Sequence, residues 1–414
     1  MGTSAAVGKS NVRRAGPAGR EAAEKALGGL SGGKADVILV FGTAGYDQAA
    51  LLDGVREVTK GAPLVGCSGE GIITQEGSDE GAHAVAVMAI ASDKATFQTF
   101  RVEGYSKDAA ACGAAIADRV REAGERRAKV LLLFPDGLTG NCTAMLRALK
   151  ERLPFPVVVA GGTAGDMMKL EATHQYCDGA VGQDTVAAVL IGGDIDAEVV
   201  VSHGCEPLGL ERTVTRSDGA RVFEIDNQPA WTVFKEYLDG DPQDLSAADV
   251  VHLCIGEQLP SLGREGESYQ VIRTPLVLDK ATGSLFFPGG LAEGATIQMT
   301  RRDPEQIRKS AVDSAQALAA RRPGRKVSLM FQFDCAGRGR VIFGEHATEN
   351  AVAPMQGVIG RDVPCSGFTR SERSRSSEPR PTSTTTASCS APCTTRSPDG
   401  SGPWRDQATS TSCG

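Results

Sequence analysis

The sequence predicts an α/β protein in which layered mixed sheets are built from duplicated strand–helix–strand–hairpin units, with a second, related C-terminal domain. The stretches 35–73 and 128–166 both run from an apolar segment through helical spacing to a glycine-rich turn. The apolar segments start 93 positions apart, at Val37 and Val130, and Gly66 precedes Gly161 by 95 positions, so the two copies keep register within two residues. A repeat of this kind constrains the architecture, and alternating strands and helices are typical of α/β layers.

The elements of each repeat follow from the spacing of their apolar residues. Each copy opens with a continuous apolar run, Val37–Phe41 or Val130–Phe134, as expected for a strand that is buried on both faces. Helical spacing comes next and leads to a short strand and the glycine turn. Two further strands end each copy, and we expect them to pair as a hairpin. The predicted hairpins are His83–Ile90 with Thr96–Val102 and Asp184–Ile191 with Ala197–His203.

These elements divide the chain into five parts. Residues 1–34 form an N-terminal segment with a helix, and residues 35–205 form a domain of two repeats, 35–104 and 128–205. A connector over 206–221 leads to a C-terminal domain over 222–368, in which a long helix over Pro304–Arg321 precedes a third copy of the repeat.

The last part, residues 369–414, differs in composition from everything before it. It contains no Leu, Ile, Val, Met, Phe or Tyr, and 20 of its 46 residues are Ser or Thr. We expect it to be disordered, because such a segment cannot bury enough apolar surface to offset the entropy lost on ordering.

Composition narrows the functional class. The 414 residues carry a net charge of −7, whereas a nucleic-acid-binding protein usually shows a basic patch. No apolar run reaches the ~18 residues of a membrane span, and the N-terminus has no apolar segment of a secretory signal, so we expect a cytoplasmic protein. The eight cysteines before residue 369 form no CxxC pair, so we expect neither a structural metal nor a cofactor.

Several motifs in a fixed order resemble those of the FIST family, in which a FIST N-terminal domain precedes a FIST C-terminal domain. The motifs are Val65–Ser68, Ala160–Asp166, Val201–Gly209 followed by Thr213–Thr215, and Phe333–Gly339. The resemblance covers roughly residues 20–370. It implies a ligand-sensing module of bacterial signal transduction, proposed to bind small molecules such as amino acids and often fused to kinase, chemotaxis or cyclic-dinucleotide domains. We recognise no such output domain in the sequence and expect a stand-alone version.

The family pattern breaks off after Phe368. The resemblance predicts a Gly-Glu-Ile-Ala-Pro turn and then a His-Asn-containing strand that returns to the sheet, but the chain continues Thr-Arg-Ser-Glu-Arg. We hypothesise that residues 369–414 are the product of a frameshift in a GC-rich gene, which would leave the C-terminal domain incomplete. Resequencing of the locus tests the hypothesis, and an intact reading frame in the DNA and in related genes would contradict it.

The glycine turns supply the first candidate ligand contacts. Ser68 and Thr163 each lie two positions after the aligned glycine, so both copies keep a small hydroxyl. Backbone amides and a hydroxyl in such a turn can cradle a ligand, although a tight turn also needs small residues. The candidates are Gly66, Cys67, Ser68, Gly161, Gly162 and Thr163.

Four further candidates lie outside these turns or at their ends. Asp166 could bind an ammonium group or cap the following segment, and His203 lies near the predicted domain junction, a common ligand location. Arg338 stands between two glycines, where it could clamp a carboxylate bidentately or pair with Asp334 in a solvated loop. Cys335 is interpreted as a packing residue or a redox-sensitive thiol.

The favoured function is a non-enzymatic sensor that binds a small polar ligand, such as an amino acid or a related carboxylate, and acts with a separate kinase or output protein. We expect the glycine turns, including a third over Cys365–Phe368, to converge on one ligand site. The rival function is an enzyme with Cys67, Cys205 or Cys335 as its nucleophile, since a nearby imidazole can stabilise a thiolate. The sequence leaves the ligand and the oligomeric state open.

Overall fold

The first unit of the fold contains the predicted strands and helices in the predicted order. The computed structural model describes residues 2–169, 171–246, 249, 252–260, 268–287, 290–370 and 388–395. An additional N-terminal strand precedes the first helix, and a small hairpin, β4–β5, follows the glycine turn. The elements are β1 Thr3–Ser10, α1 Ala15–Gly28, β2 Val37–Thr43, α2 Gln48–Thr59, β3 Leu64–Gly69, β4 Gly71–Thr74, β5 Gly77–Asp79 and β6 Val85–Ser92.

The second unit repeats this order element by element. Its helices begin at side-chain N-caps: Asp108 accepts a hydrogen bond from the Ala111 amide, and Asn141 accepts one from the Ala144 amide. The elements are β7 Ala95–Glu103, α3 Ala109–Ala123, β8 Val130–Pro135, α4 Cys142–Arg152, β9 Val158–Gly161, β10 Gln175–Cys177, β11 Ala180–Gly182 and β12 Thr185–Gly193.

A third unit has the same order but is split by an inserted sheet. The unit begins with β13 Ile195–Ala197 and β14 Val200–Ser202, and it resumes after residue 302. Its long helix matches the predicted bounds. The later elements are α6 Pro304–Arg321, β23 Leu329–Cys335, α7 Arg340–Phe343, α8 Ala353–Ile359, β24 Cys365–Arg370 and β25 Ser388–Thr395.

The inserted sheet lies between β14 and α6 in the chain. Its eight strands have the order β19-β18-β22-β15-β16-β21-β20, with β17 paired to β16. One face packs on α5 around Val233, Phe234, Ile255 and Phe287. The elements are β15 Cys205–Asp218, β16 Arg221–Ile225, β17 Gln228–Pro229, α5 Ala230–Lys235, β18 Leu253–Pro260, β19 Ser268–Arg273, β20 Val277–Asp279, β21 Ser284–Phe286 and β22 Thr296–Arg302.

The three units form three sheets that share one hydrophobic core. Each sheet contains a parallel pair, β2–β3, β8–β9 or β23–β24, and the last strand of the unit, β6, β12 or β25, pairs antiparallel with the first member of that pair. The inner faces of all three sheets meet in the shared core, and the outer faces are covered by helices. The predicted α/β fold of layered mixed sheets built from duplicated units is confirmed.

The predicted hairpins at the ends of the first two repeats are wrong. The strands form close to where they were predicted, but β6 pairs with β1 and β2 whereas β7 pairs with β12 in the next sheet. Similarly, β12 lies in the second sheet while β13 and β14 pair with β25 in the third. The strand after each unit starts the next unit, so the short links at residues 93–94 and 194 join sheets and do not close hairpins.

Two other expectations need correction. The predicted connector over 206–221 is mostly the long strand β15, which pairs with β22 and β16 in the inserted sheet. Thr369 and Arg370, predicted to start the disordered tail, end strand β24, and 388–395 form β25 between β14 and β23. Backbone hydrogen bonds do not depend on side-chain type, so a Ser- and Thr-rich segment can complete a sheet that has an open position. The rest of the predicted tail, 371–387 and 396–414, lies outside the described residues.

Candidate functional site

The carboxyl ends of the three parallel pairs meet around equivalent phenylalanines. Phe41, Phe134 and Phe333 occupy the same position in β2, β8 and β23, and their ring centroids lie 5.4, 5.8 and 6.1 Å apart in edge-to-face contact. Phe368 packs against all three rings. Aromatic pairs of this geometry add about 0.5–1.5 kcal/mol each beyond their buried area. The cluster therefore holds the three strand ends together and places the turns that follow them side by side.

Glycines at one equivalent position bring the paired strands into close contact. Gly66, Gly161 and Gly367 lie opposite Val40, Leu133 and Gln332. A Cβ at these glycines would lie only 1.8, 1.9 and 1.6 Å from the carbonyl oxygens of those neighbours. The glycines are therefore required for strand packing, which favours the tight-turn alternative for Gly66 and Gly161.

The ends of β3 and β24 contact each other and the turn after β9. Ser68 Oγ donates to Gly165 O at 2.7 Å, and the Gly165 amide donates to Ser68 O at 2.9 Å. The Glu70 amide donates to Thr369 O at 2.6 Å. Arg370 Nη1 donates to Thr163 Oγ1 at 2.8 Å, which joins the third unit to the second. The structure thus brings Ser68, Thr163 and Thr369 to one end of the shared core.

The hydroxyl of Ser68 is used within the protein. In addition to its bond to Gly165, Ser68 Oγ accepts a hydrogen bond from the His174 amide at 3.0 Å, at the start of β10. Asp166 Oδ2 likewise accepts from the amides of Glu171 and Ala172, the capping role that sequence analysis gave as one alternative. In the described residues, the buried Oδ1 of Asp166 has no hydrogen-bond partner.

A buried arginine and a partly buried histidine lie where β23 and β14 end. Arg338 follows β23 in a short 3₁₀ turn, is only 4% exposed, and donates through Nη1 to Ser202 O. Its Nε lies 3.7 Å from Asp334 Oδ1. Pairing with Asp334 was one of the sequence-based alternatives, but the solvated loop position that went with it is wrong because the side chain is buried.

The surroundings of His203 keep its imidazole neutral. Burial, and to a smaller extent the nearby Arg338 guanidinium, lower the pKa of His203 to about 4. Its Nδ1 accepts a hydrogen bond from the Cys205 amide at 3.0 Å. The Cys205 thiol is directed at the carbonyl of His203, 3.9 Å away. Nδ1 is therefore bonded to backbone and does not face the thiol.

The other candidate cysteines are also enclosed. Cys67 is fully buried in the core, and burial raises the pKa of its thiol well above the ordinary value. Cys335 Sγ accepts a hydrogen bond from the Gly337 amide at 3.3 Å and so begins the turn that carries Arg338. Cys335 thus helps to position the arginine beside Ser202 and His203.

Three residues of this region were missed by sequence analysis. Glu80 follows β5 in the first unit, and its Oε1 accepts a hydrogen bond from the Arg340 amide in the third. Burial, with a smaller contribution from the nearby carboxylate of Asp334, raises the pKa of Glu80 to about 7. Arg370 was assigned to the tail although its side chain is only 1% exposed. Gln332 gave a signal that went unused: it interrupts an otherwise apolar strand, Leu329–Phe333.

A small cavity adjoins Arg370 on the outer face of β9. About 20 Å³ is open to a water-sized sphere, which is room for one or two water molecules. Thr163 and Arg370 supply its polar wall, and the side chains of α4 and β8 supply its apolar walls. The lining residues are Leu133, Pro135, Cys142, Met145, Leu146, Val159, Ala160, Gly161, Gly162, Thr163 and Arg370.

The described residues contain neither a cluster of metal ligands nor a helix suited to a membrane. No group of three or more His, Cys, Asp or Glu side chains is arranged there to hold a metal ion. Within the same part of the chain, no helix combines the length and apolar character needed to cross a membrane.

Family models match most of the chain. The FIST N domain matches residues 36–228 and the FIST C domain matches residues 230–369. The protein belongs to the FIST family, whose domains are sensory domains of signal transduction. The resemblance inferred from the ordered motifs is therefore confirmed.

Curated relatives extend over nearly the same length. The uncharacterized protein Rv0628c of Mycobacterium tuberculosis is 29% identical over 368 residues, covering 86% of this chain and 90% of its own. The uncharacterized protein Mb0898c of Mycobacterium bovis is 30% identical, covering 84% of this chain and 88% of its own. The uncharacterized protein MJ1623 of Methanocaldococcus jannaschii is 26% identical over 218 residues, which is 49% of this chain and 40% of that protein.

Solved structures show only distant similarity. A cyanuric acid hydrolase gives a TM-score of 0.35 at 9% identity, covering 96% of this chain and 100% of that chain. Thermotoga maritima PurL in complex with ATP gives a TM-score of 0.23 at 8% identity, covering 95% and 71%. Similarity at this level supports no inference about ligand or activity.

Proposed function

We propose that the protein is a sensor that binds a small carboxylate, such as an amino acid, at the end of the shared core. The observation that carries the proposal is the buried guanidinium of Arg338 beside Ser202 and His203, where the first and third units meet the inserted sheet. Sequence analysis chose the same residue because a loop arginine between glycines is poorly suited to core packing. We further propose a cytoplasmic location and a separate kinase or output protein as the signalling partner.

The chemistry of this region suits an anionic group. A guanidinium offers five N–H donors in a planar fork that matches a carboxylate, and its attraction for an anion is stronger where water is excluded. The nearby His203 imidazole is neutral at pH 7 and can accept or donate a hydrogen bond without adding charge. Glu80 and Asp334 add carboxylates on the other side, so the region offers both signs of charge to a zwitterion.

Ligand screening with one arginine variant tests the proposal. Thermal-shift measurements against amino acids and small organic acids should identify a compound that stabilises the wild-type protein, since binding to the folded state raises the apparent stability. The same compound should give no shift with Arg338→Ala. Arg340→Ala, which removes an exposed neighbour, is the matched control and should keep the shift. A shift that survives Arg338→Ala would remove Arg338 from the site.

The rival function, a cysteine-dependent enzyme, gains little support from the site. Cys67 is enclosed in the core with a raised pKa, whereas a reactive cysteine needs a lowered pKa and access to solvent. The rival predicts that one thiol among Cys67, Cys205 and Cys335 reacts with iodoacetamide well below pH 8. If all three react slowly with a dependence typical of an ordinary thiol, near pKa ~8.5, the enzyme is excluded.

A further inference from the structure

The third unit differs from the first two on one face of its parallel pair. Counting from the equivalent glycines, Gln332 takes the place of Val40 and Leu133, which pack beneath the helices of their own units. Asp334, two residues later on the same face, takes the place of Gly42 and Pro135. Polar groups thus replace apolar or small residues at two buried positions of one repeat only.

Within the described residues, Gln332 and the neighbouring Thr369 lack the hydrogen-bond partners that buried polar groups usually have. Gln332 is 0% exposed, and within the described residues neither its amide oxygen nor its amide nitrogen has a hydrogen-bond partner. Thr369, which is paired with Asp334 across the two strands, is 2% exposed, and its Oγ1 also has no partner there. An unsatisfied buried polar group costs about 1–3 kcal/mol, and such groups often mark the place of a water, an ion or a ligand.

Two carboxylates lie against the same face. Glu80 packs beside Thr369: an ideal Cβ on Gly71 would lie 2.5 Å from Glu80 Cγ and 2.9 Å from Thr369 Oγ1. Asp334 is the cross-strand partner of Thr369, and its charge contributes to the raised pKa of Glu80. The face therefore offers oxygen acceptors from Gln332, Asp334, Thr369 and Glu80, a set that suits a group with several N–H donors.

The cationic side of the region is already assigned in the proposed function. Arg338 lies next to Asp334 and faces Ser202 and His203. A zwitterionic ligand could place its carboxylate on the Arg338 guanidinium and its ammonium on the four oxygen acceptors. Both sets of protein groups would then have a partner. An organic acid without an amine would leave the acceptors of the third unit unused.

We propose that Gln332, Asp334, Thr369 and Glu80 form an ammonium-binding subsite, so that the ligand of this protein is an amino acid or another zwitterion of similar size. The proposal rests on the proposed function for the position of the carboxylate, but the ammonium subsite itself has a separate test. It also accounts for the two polar replacements in the third unit, for which the first two units provide apolar counterparts.

Methylammonium chloride is a probe that carries the ammonium group without a carboxylate. At equal ionic strength it should raise the melting temperature of the wild-type protein above the value in potassium chloride. Gln332→Leu, which introduces the residue that β8 carries at this position, and Thr369→Val should each abolish that difference. Thr369→Ser, which keeps the hydroxyl, should retain it. Thr59→Val is the matched control: it removes a buried hydroxyl of α2 that also has no partner among the described residues.

The outcomes separate the two proposals. If no amino acid binds but methylammonium still stabilises the wild-type protein selectively, the carboxylate clamp fails and the ammonium subsite stands. If an amino acid binds through Arg338 and its hydroxy-acid analogue binds equally well, the ammonium subsite fails. An equal shift in potassium chloride, or a methylammonium shift that survives in both Gln332→Leu and Thr369→Val, also overturns it. Should one variant fail to fold, the other gives the same comparison.

Where an amino acid does bind, its affinity gives a second measure. L-alanine and L-lactate differ at one substituent, the ammonium or the hydroxyl on the α-carbon. For the amino acid found by screening, the matching pair should differ at least tenfold in affinity for the wild-type protein. Gln332→Leu should reduce that ratio to within about twofold, because the group that distinguishes the two ligands loses its acceptor.

Discussion

At the scale of single residues, the electrostatics of the site depend on burial and on two charged groups: Arg338, which acts on His203, and Asp334, which acts on Glu80. His203 is held neutral by burial and by the guanidinium, while Glu80 is held partly protonated near pH 7 by burial and by Asp334. Both effects favour the uncharged form of a buried group. The site therefore contains two groups whose charge changes with pH, and each can be tested by substitution.

Removing Arg338 should raise the pKa of His203. In the wild-type protein the pKa is about 4, below the ordinary value of 6.5, with burial as the larger cause and Arg338 as the second. In Arg338→Met the burial remains, so the pKa should rise by part of that difference. Titration of the imidazole by NMR measures it, with Arg340→Met as the control. A pKa that stays near 4 in Arg338→Met would show that the guanidinium does not act on His203.

Glu80 should make the protein less stable as the pH rises. Its pKa is raised to about 7 in the folded protein from 4.5, so between these values the folded state binds more protons than the unfolded state. The stability contributed by protonation is fully present below pH 4.5 and is lost as the pH rises through 7. Glu80→Gln removes this loss and keeps an oxygen acceptor for the Arg340 amide.

Urea unfolding at two pH values measures the effect of Glu80. Subtracting the wild-type free energy of unfolding from that of Glu80→Gln gives a difference that should be up to about 3 kcal/mol larger at pH 8.5 than at pH 4.5. One pKa unit corresponds to about 1.4 kcal/mol. Glu24→Gln, on the exposed side of α1, should show no such change. A difference between Glu80→Gln and wild type that does not change with pH would contradict the raised pKa.

At the scale of elements, the equivalent glycines of the parallel pairs are the positions where the repeat depends on one residue type. A Cβ at Gly161 would lie 1.9 Å from Leu133 O, and at this residue φ is +138°, which disfavours other residues as well. Gly161→Ala should therefore lower the free energy of unfolding by more than the 1–3 kcal/mol typical of overpacking, measured by urea denaturation. Gly28→Ala, at the end of α1 with open space around its Cβ, should have no destabilising effect. Equal stability of the two variants would contradict the role assigned to Gly161.

Most elements could be predicted from the sequence because apolar spacing decides local structure. The runs that became β2 and β8 and the spacing that became α2 and α6 were clear for this reason. Strand partners were not predictable from local pattern, because a strand satisfies its backbone equally well in either of two neighbouring sheets. Thus β6 and β7 were located but wrongly paired with each other. The strand β1 and the long strand β15 were missed because small and charged residues weaken the alternating pattern.

The candidate site was predictable in part. Glycine turns at strand ends indicated where three units would converge, and a loop arginine between glycines indicated Arg338. Glu80 could not be found in this way, because only the fold brings the first unit's hairpin against the turn after β23. Arg370 was missed because the polar residues that follow it in the sequence led us to assign it to the tail. In the structure it is the last residue of β24, and its side chain is buried at the end of the core.

At the scale of the whole molecule, three similar units are joined by hairpins that leave one unit and pair with the sheet of another. The hairpin β4–β5 of the first unit extends the third sheet, and β10–β11 of the second unit extends the first sheet. Each unit is thereby tied to another by backbone hydrogen bonds as well as by the shared core. This arrangement gathers the ends of the parallel strands at one end of the core, and the third unit differs from the other two there because Gln332 and Asp334 replace apolar or small residues. We interpret this difference as a functional specialisation of one unit within a repeated scaffold.

The central claim is that Arg338 holds the carboxylate of a small ligand, and calorimetric titration of Arg338→Lys tests it most directly. Lysine keeps the positive charge but cannot present the paired donors of a guanidinium. For the carboxylate compound identified by screening, the account predicts that Arg338→Lys binds at least tenfold more weakly than wild type, while Arg340→Lys binds as wild type does. Equal affinity of Arg338→Lys and the wild-type protein would contradict it.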